Sequence, residues 1–153
     1  MKTVRRRMLR VLPMIEAATL LVSFRIGLKV FPFRRLVSWI RPGDHEVQPE
    51  LEAALVRRVR WAILAVSKSL PFVNICFPQA LAAHFMLKRR GVPSILYYGV
   101  ALEGTKLEAH TWLKANGHFV VGGERSPDYT VLTSFPAEGP KNSTADLLLH
   151  DSR

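Results

Sequence analysis

The hydrophobic pattern of this 153-residue chain changes period once, near Gly91, and that switch limits the folds open to it. Before it, apolar residues recur at helical spacing. After it come β-formers, alternation and an Asn116-Gly117 pair, the strongest two-residue hairpin signal in the chain. Helices first and an antiparallel meander second predict an α+β domain, with helices packed on one face of a small sheet.

The helical half divides at prolines. Residues 5–31 read as helix through Leu9, Leu12, Ile15, Ala18, Leu20, Val22 and Ile26, with Pro13 dividing an opening turn from the main helix. Residues 33–40 read as a second short helix, and Pro42-Gly43-Asp44 as a break. Pro49-Glu50-Leu51-Glu52 puts proline and acids in a first turn, so a helix is expected to run from there to about Ser69. Residues 74–90 read as a further helix, with Asn74 as N-cap and Gly91 beyond its end. Strands are expected over Ser94–Leu102, Glu108–Ala115, His118–Val121 and Tyr129–Thr133. The chain is thus read as one domain in three parts: a basic amphipathic segment over 1–45, a catalytic core over 46–135 and a loose tail over 136–153.

Charge and cysteine usage narrow the setting. Of the net charge of +10, residues 1–60 carry +8, with 13 Lys/Arg against 5 Asp/Glu. That field suits an acidic peptide, nucleic acid or an anionic membrane, and equally a solvated helical face. Glu16, Arg25 and Lys29 interrupt the apolar N-terminal stretch, so neither a secretory signal nor a spanning helix is expected. The single cysteine, Cys76, can form no internal disulfide and no Cys-based zinc site, which fits a reducing, cytoplasmic setting. The histidines show no metal-ligand spacing, so neither metal nor cofactor is expected.

Cys76 falls at the start of a predicted helix, where amide groups and the dipole favour a thiolate and can hold an oxyanion. The competing reading is a small buried hydrophobe, which describes most lone cysteines. His110 lies on a predicted strand, a rigid mount for a base. His118, on the returning strand, is its best rival, ahead of His45, His84 and His150. Reflection about Asn116-Gly117 sets residue 110 opposite 123, so an orienting acid should lie near 121–125. Glu124 is the acid there, and Asp128 is the next along. Both also read as plain surface charges.

The succession Cys76-Phe77, Leu81, Leu87-Lys88-Arg89-Arg90-Gly91-Val92-Pro93, Leu96, Gly99-Val100 and Ala109-His110-Thr111-Trp112 resembles the leader peptidases of lasso peptide biosynthesis over residues 60–133. Those proteins share the C-terminal domain of the microcin-processing maturation protein, a papain- and transglutaminase-like fold. The resemblance implies a Cys–His–Asp triad with Cys76 as nucleophile and His110 as base. It places the acid around position 122, where this chain has Gly122-Gly123. Glu124 or Asp128 as substitute, a backbone carbonyl as orienter, and a plain dyad all stay open.

The resemblance also implies a ribosomally made precursor peptide as substrate, cut between leader and core. Two partners come with it: a separate small leader-binding protein and an ATP-using cyclase that resembles asparagine synthetase. Nucleic acid is not an expected partner of such an enzyme. The basic N-terminal helices are expected to serve as a docking surface for the leader-binder, and a peripheral membrane contact through them is also open. Two rival functions remain: acyl transfer to an amine at the same site, and a non-catalytic protein that binds membrane or nucleic acid through residues 1–60.

Overall fold

A computed structural model describes residues 2–32, 35, 40, 49–70 and 75–136. Helix α1 (Lys2–Val30), α2 (Pro49–Ser69) and α3 (Cys76–Lys88) are followed by strands β1 (Ile95–Glu103), β2 (Lys106–Ala115) and β3 (His118–Val121), a 3-10 helix (Gly123–Asp128) and β4 (Thr130–Phe135). The four strands form one antiparallel sheet in the order β3-β2-β1-β4. The domain is therefore α+β, with helices on a small antiparallel sheet. The short helix expected over 33–40, the break at 42–44, Asn74 and the tail from 137 lie outside the described residues, as do His45 and His150.

Helix α3 is the hub. Ten of its 13 residues are buried, which explains why its sequence is apolar all round. Ala80, Leu81, Ala83 and Leu87 share one core with Leu21 of α1, Ile63 of α2 and Leu96 and Leu113 of the sheet. Burial of this kind contributes about 1.5–3 kcal/mol for each large aliphatic side chain. Arg90 clamps α1 beside this core, donating from Nη2 to Glu16 Oε2 at 2.6 Å and from Nη1 to the Met86 carbonyl at 2.6 Å.

Three expectations need correction. Pro13 does not divide α1: the helix runs through it, and Pro13 is buried, so tertiary packing outweighs the lost backbone hydrogen bond. The N-cap of α3 is Ile75, in extended conformation and with no capping side chain. Pro78 then sits at the third helical position, among the amides that have no intrahelical acceptor in any case. Finally, Val11–Val30 is long and apolar enough to cross a membrane by length and composition, with mean hydropathy 1.6. Its charges are spaced widely enough to leave a near-continuous apolar window.

The hairpin forms at Asn116-Gly117, both at positive φ (47° and 77°), the signature of a primed turn. Ala115 pairs with His118 and Lys114 with Phe119, as reflection about the turn requires. Leu113 then pairs with Val121, because Val120 is a bulge. That extra residue breaks the predicted facing of His110 and residue 123.

Candidate active site

His110 sits in mid-strand on β2 and is 9% exposed. Its ring lies between Trp112 (centroids 5.9 Å apart) and Tyr129 (5.0 Å). Nε2 is 2.8 Å from the carbonyl oxygen of Gly122. A carbonyl only accepts, so Nε2 carries the proton. The neutral ring therefore keeps its lone pair on Nδ1, the atom that would act as base.

The carbonyl reaches the ring because the chain leaves β3 in a left-handed turn. Gly122 has φ +74°, and a Cβ there would come within 2.6 Å of the Thr111 carbonyl oxygen. The 3-10 helix follows at once and carries the chain to Tyr129. Gly99, paired with His110, is equally constrained: a Cβ on it would lie 2.9 Å from the Trp112 ring. Tyr97 stacks on the same indole at 5.8 Å, so Trp112 is locked beside the histidine.

Arg60 of α2 secures this turn from outside. It donates from Nη1 to the Val120 carbonyl at 2.7 Å and from Nη2 to Glu124 at 3.0 Å. Glu124's own backbone amide, and then Arg60, hold its carboxyl below the usual range. Tyr129 Oη donates to Glu108 Oε2 at 3.2 Å. Burial, ahead of its neighbours, pushes the Tyr129 phenol up.

Neither acid foreseen for the histidine bonds to it. Glu124 serves Arg60. Asp128 ends the 3-10 helix and lines a small surface cleft with Glu103, Glu108, Arg125 and Tyr129. The backbone carbonyl, one of the arrangements left open, is the observed partner of Nε2. Sequence reasoning did not find Tyr129 or Arg60 as neighbours of this site. The aromatic spacing of Tyr129 to Trp112 carries no local motif, and Arg60 reads as one of three arginines on an exposed face.

Cys76 opens α3 and is half-buried. No hydrogen bond joins its thiol to His110. Alternation along β2 puts His110 and Trp112 on one sheet face and Leu113 and Ala115 on the other, and the latter pair packs on the helices. The rival histidines are placed otherwise. His84 is 2% exposed inside α3, with Nδ1 2.9 Å from Ser94 Oγ. His118 is exposed at the hairpin tip. Among the described residues no cluster of His, Cys, Asp or Glu could hold a metal ion.

The family model described as the transglutaminase-like superfamily matches residues 18–134. No curated protein and no solved structure gives a significant match.

Proposed function

Since the chain belongs to the transglutaminase-like superfamily, whose members are typically cysteine peptidases or acyltransferases, we propose that it is a cysteine peptidase with Cys76 as nucleophile and His110 as base. The observation that carries this reading is the Gly122 carbonyl on Nε2, which leaves Nδ1 basic on a ring fixed by two aromatic neighbours.

The substrate of the proposal is a ribosomally made lasso precursor peptide, cut between leader and core in the cytoplasm. A separate small leader-binding protein presents it, and an asparagine-synthetase-like cyclase takes the freed core. Support comes from the Cys76 to Ala109-His110-Thr111-Trp112 succession within the matched residues.

Cys76 opens the helix that packs on one face of the sheet and His110 stands on the other, so the proposal requires a rearrangement at the α3 N-terminus that brings thiol and imidazole together before a proton can pass. The Cys76 thiol proton passes to His110 Nδ1 as sulfur attacks the carbonyl carbon of the leader's last residue. The oxyanion lies at the α3 N-terminus, where backbone amides and the dipole are aimed. The imidazolium then protonates the leaving core amine, the C–N bond breaks, and an acyl-enzyme remains. Water, deprotonated by the same nitrogen, releases the leader acid and regenerates the thiol.

Iodoacetamide labelling of Cys76 against pH tests the pairing without a substrate. Alkylation well below the free-thiol pKa of about 8.5, lost in His110→Ala, is the expected result. Identical profiles for wild type and His110→Ala would remove the dyad. Mass spectrometry of precursor cleavage separates hydrolysis, which adds water to the leader, from acyl transfer, which adds an amine.

A further inference from the structure

Helix α1 has two unlike sides. One is built into the fold: Ala17, Leu21 and Phe24 are buried, and Glu16 is paired with Arg90 at 2.6 Å and Arg89 at 3.3 Å. The other carries exposed side chains at Leu12, Ile15, Thr19, Ser23, Ile26 and Val30. These positions fall 3 or 4 residues apart, so they form one continuous stripe along about 27 Å of helix. None is charged. The exposures of Leu12 (60%), Ile15 (57%), Ile26 (57%) and Val30 (66%) are those of side chains facing open water. Scattered apolar residues on a surface need no explanation, whereas a contiguous uncharged stripe about five turns long does.

The same helix begins with Lys2, Arg5, Arg6, Arg7 and Arg10, with no acid before Glu16. A helix with a cationic first turn and a largely apolar, uncharged exposed face complements a surface that is negative outside and apolar beneath. A protein partner with an acidic rim would meet the charge but would not need an uncharged stripe this long. A second copy packed in parallel would bring the same five cations against their own kind, and an antiparallel one would set them beside Lys29, where α1 carries no acid. The matched family region starts at residue 18, so the basic run stands outside it.

We propose that the exposed face of α1 lies flat on an anionic lipid bilayer, its uncharged stripe in the headgroup–acyl boundary and the positive N-terminal end of the helix drawn to the lipid phosphates. The ion pairs of Glu16 and the buried face keep the helix docked on the domain, so it rests in the interface and does not span it. The proposal is independent of whether Cys76 and His110 are catalytic.

Co-sedimentation of the full chain with vesicles of phosphatidylcholine containing 30% phosphatidylglycerol tests it, beside vesicles of phosphatidylcholine alone. Binding to the anionic vesicles is expected, weakening as salt shortens the screening length from about 10 Å at 0.1 M to about 3 Å at 1 M. Ile15→Glu with Ile26→Glu is expected to lower partitioning by more than about tenfold while circular dichroism and melting stay those of wild type. Arg5, Arg6 and Arg7 together changed to Ala should weaken binding to anionic vesicles alone. Equal binding by wild type and the Glu pair would overturn the proposal. So would a wild-type dimer in lipid-free solution that the Glu pair converts to monomer, since the stripe would then belong to a second copy.

Discussion

His84 and His110 lie in two environments that one small sheet keeps apart. His84 is inside α3, on the side of the sheet that the helices cover. Burial, with Lys88 adding to it, pushes its pKa down to about 4. Nδ1 meets Ser94, and Nε2 is buried with no partner. His110 is on the other face, between two aromatic rings, with a carbonyl fixing its tautomer. The first ring is kept neutral by dehydration and cannot exchange protons without cost to the fold. The second is oriented and has one nitrogen uncommitted. The comparison teaches that burial alone does not mark a functional histidine; what matters is which nitrogen is left over and where it sits.

The sharpest way to break the comparison is to remove each ring in turn. His110→Ala should lower precursor cleavage by about 10³-fold or more, as Cys76→Ala should, with melting little changed. His84→Leu should leave cleavage within a few-fold. Mass-spectrometric cleavage assays decide it: a His110→Ala enzyme with wild-type turnover would end the assignment of base.

Next in size is Gly122, on which the orientation of His110 depends. Gly122→Ala puts a methyl group against the Thr111 carbonyl at a φ of +74°, so the turn must move. A cost of about 1–3 kcal/mol is expected in urea unfolding. The low-pH alkylation of Cys76 should be lost along with it. Stability lost with labelling intact would show that the carbonyl does not position the ring.

Much of this architecture is legible in residues. Leu55, Val59, Ala62 and Val66 announce the buried face of α2, although Leu51, expected on the same face, is exposed, and Asn116-Gly117 fixes the hairpin, because helical periodicity and primed turns are local properties. What is not legible depends on contacts distant in sequence. The bulge at Val120 shifts Leu113 onto Val121, where the pairing ends, and no local signal announces it. The orienting group of His110 is a carbonyl, which every residue possesses; only the pair Gly122-Gly123, where an acid was sought, hinted that backbone had replaced a side chain. The face on which His110 points follows from register with β1 and from the packing of α3, and neither can be counted along the sequence.

The pH dependence of stability sharpens the contrast from the His84 side. The unfolded histidine titrates near 6.5 and the folded one at about 4. Between those values the unfolded chain binds the extra proton, so stability is full above about pH 6.5 and falls as pH drops toward 4. The whole interval is worth about 3 kcal/mol. Urea midpoints measured from pH 7 to 4 should show this loss, and His84→Leu should flatten it. A slope that persists in His84→Leu would assign the acid sensitivity to other groups.

The smallest effects are expected at the two acids that sequence reasoning placed beside His110. Glu124 and Arg60 form an exposed pair at 3.0 Å, which in water is worth less than about 1 kcal/mol. Because the folded carboxyl is held below its usual range, that contribution is present above the ordinary carboxylate pKa and is lost as pH falls through the folded value. Glu124→Gln should therefore lower the urea midpoint slightly at pH 7, and by less as pH falls through the titration of the folded carboxyl. Cleavage by Glu124→Gln and by Asp128→Asn should stay within a few-fold of wild type, since a carbonyl already occupies Nε2. A loss of 100-fold in either variant would mean that a carboxylate displaces that carbonyl when substrate binds, and the orienting role would pass from Gly122 to the acid.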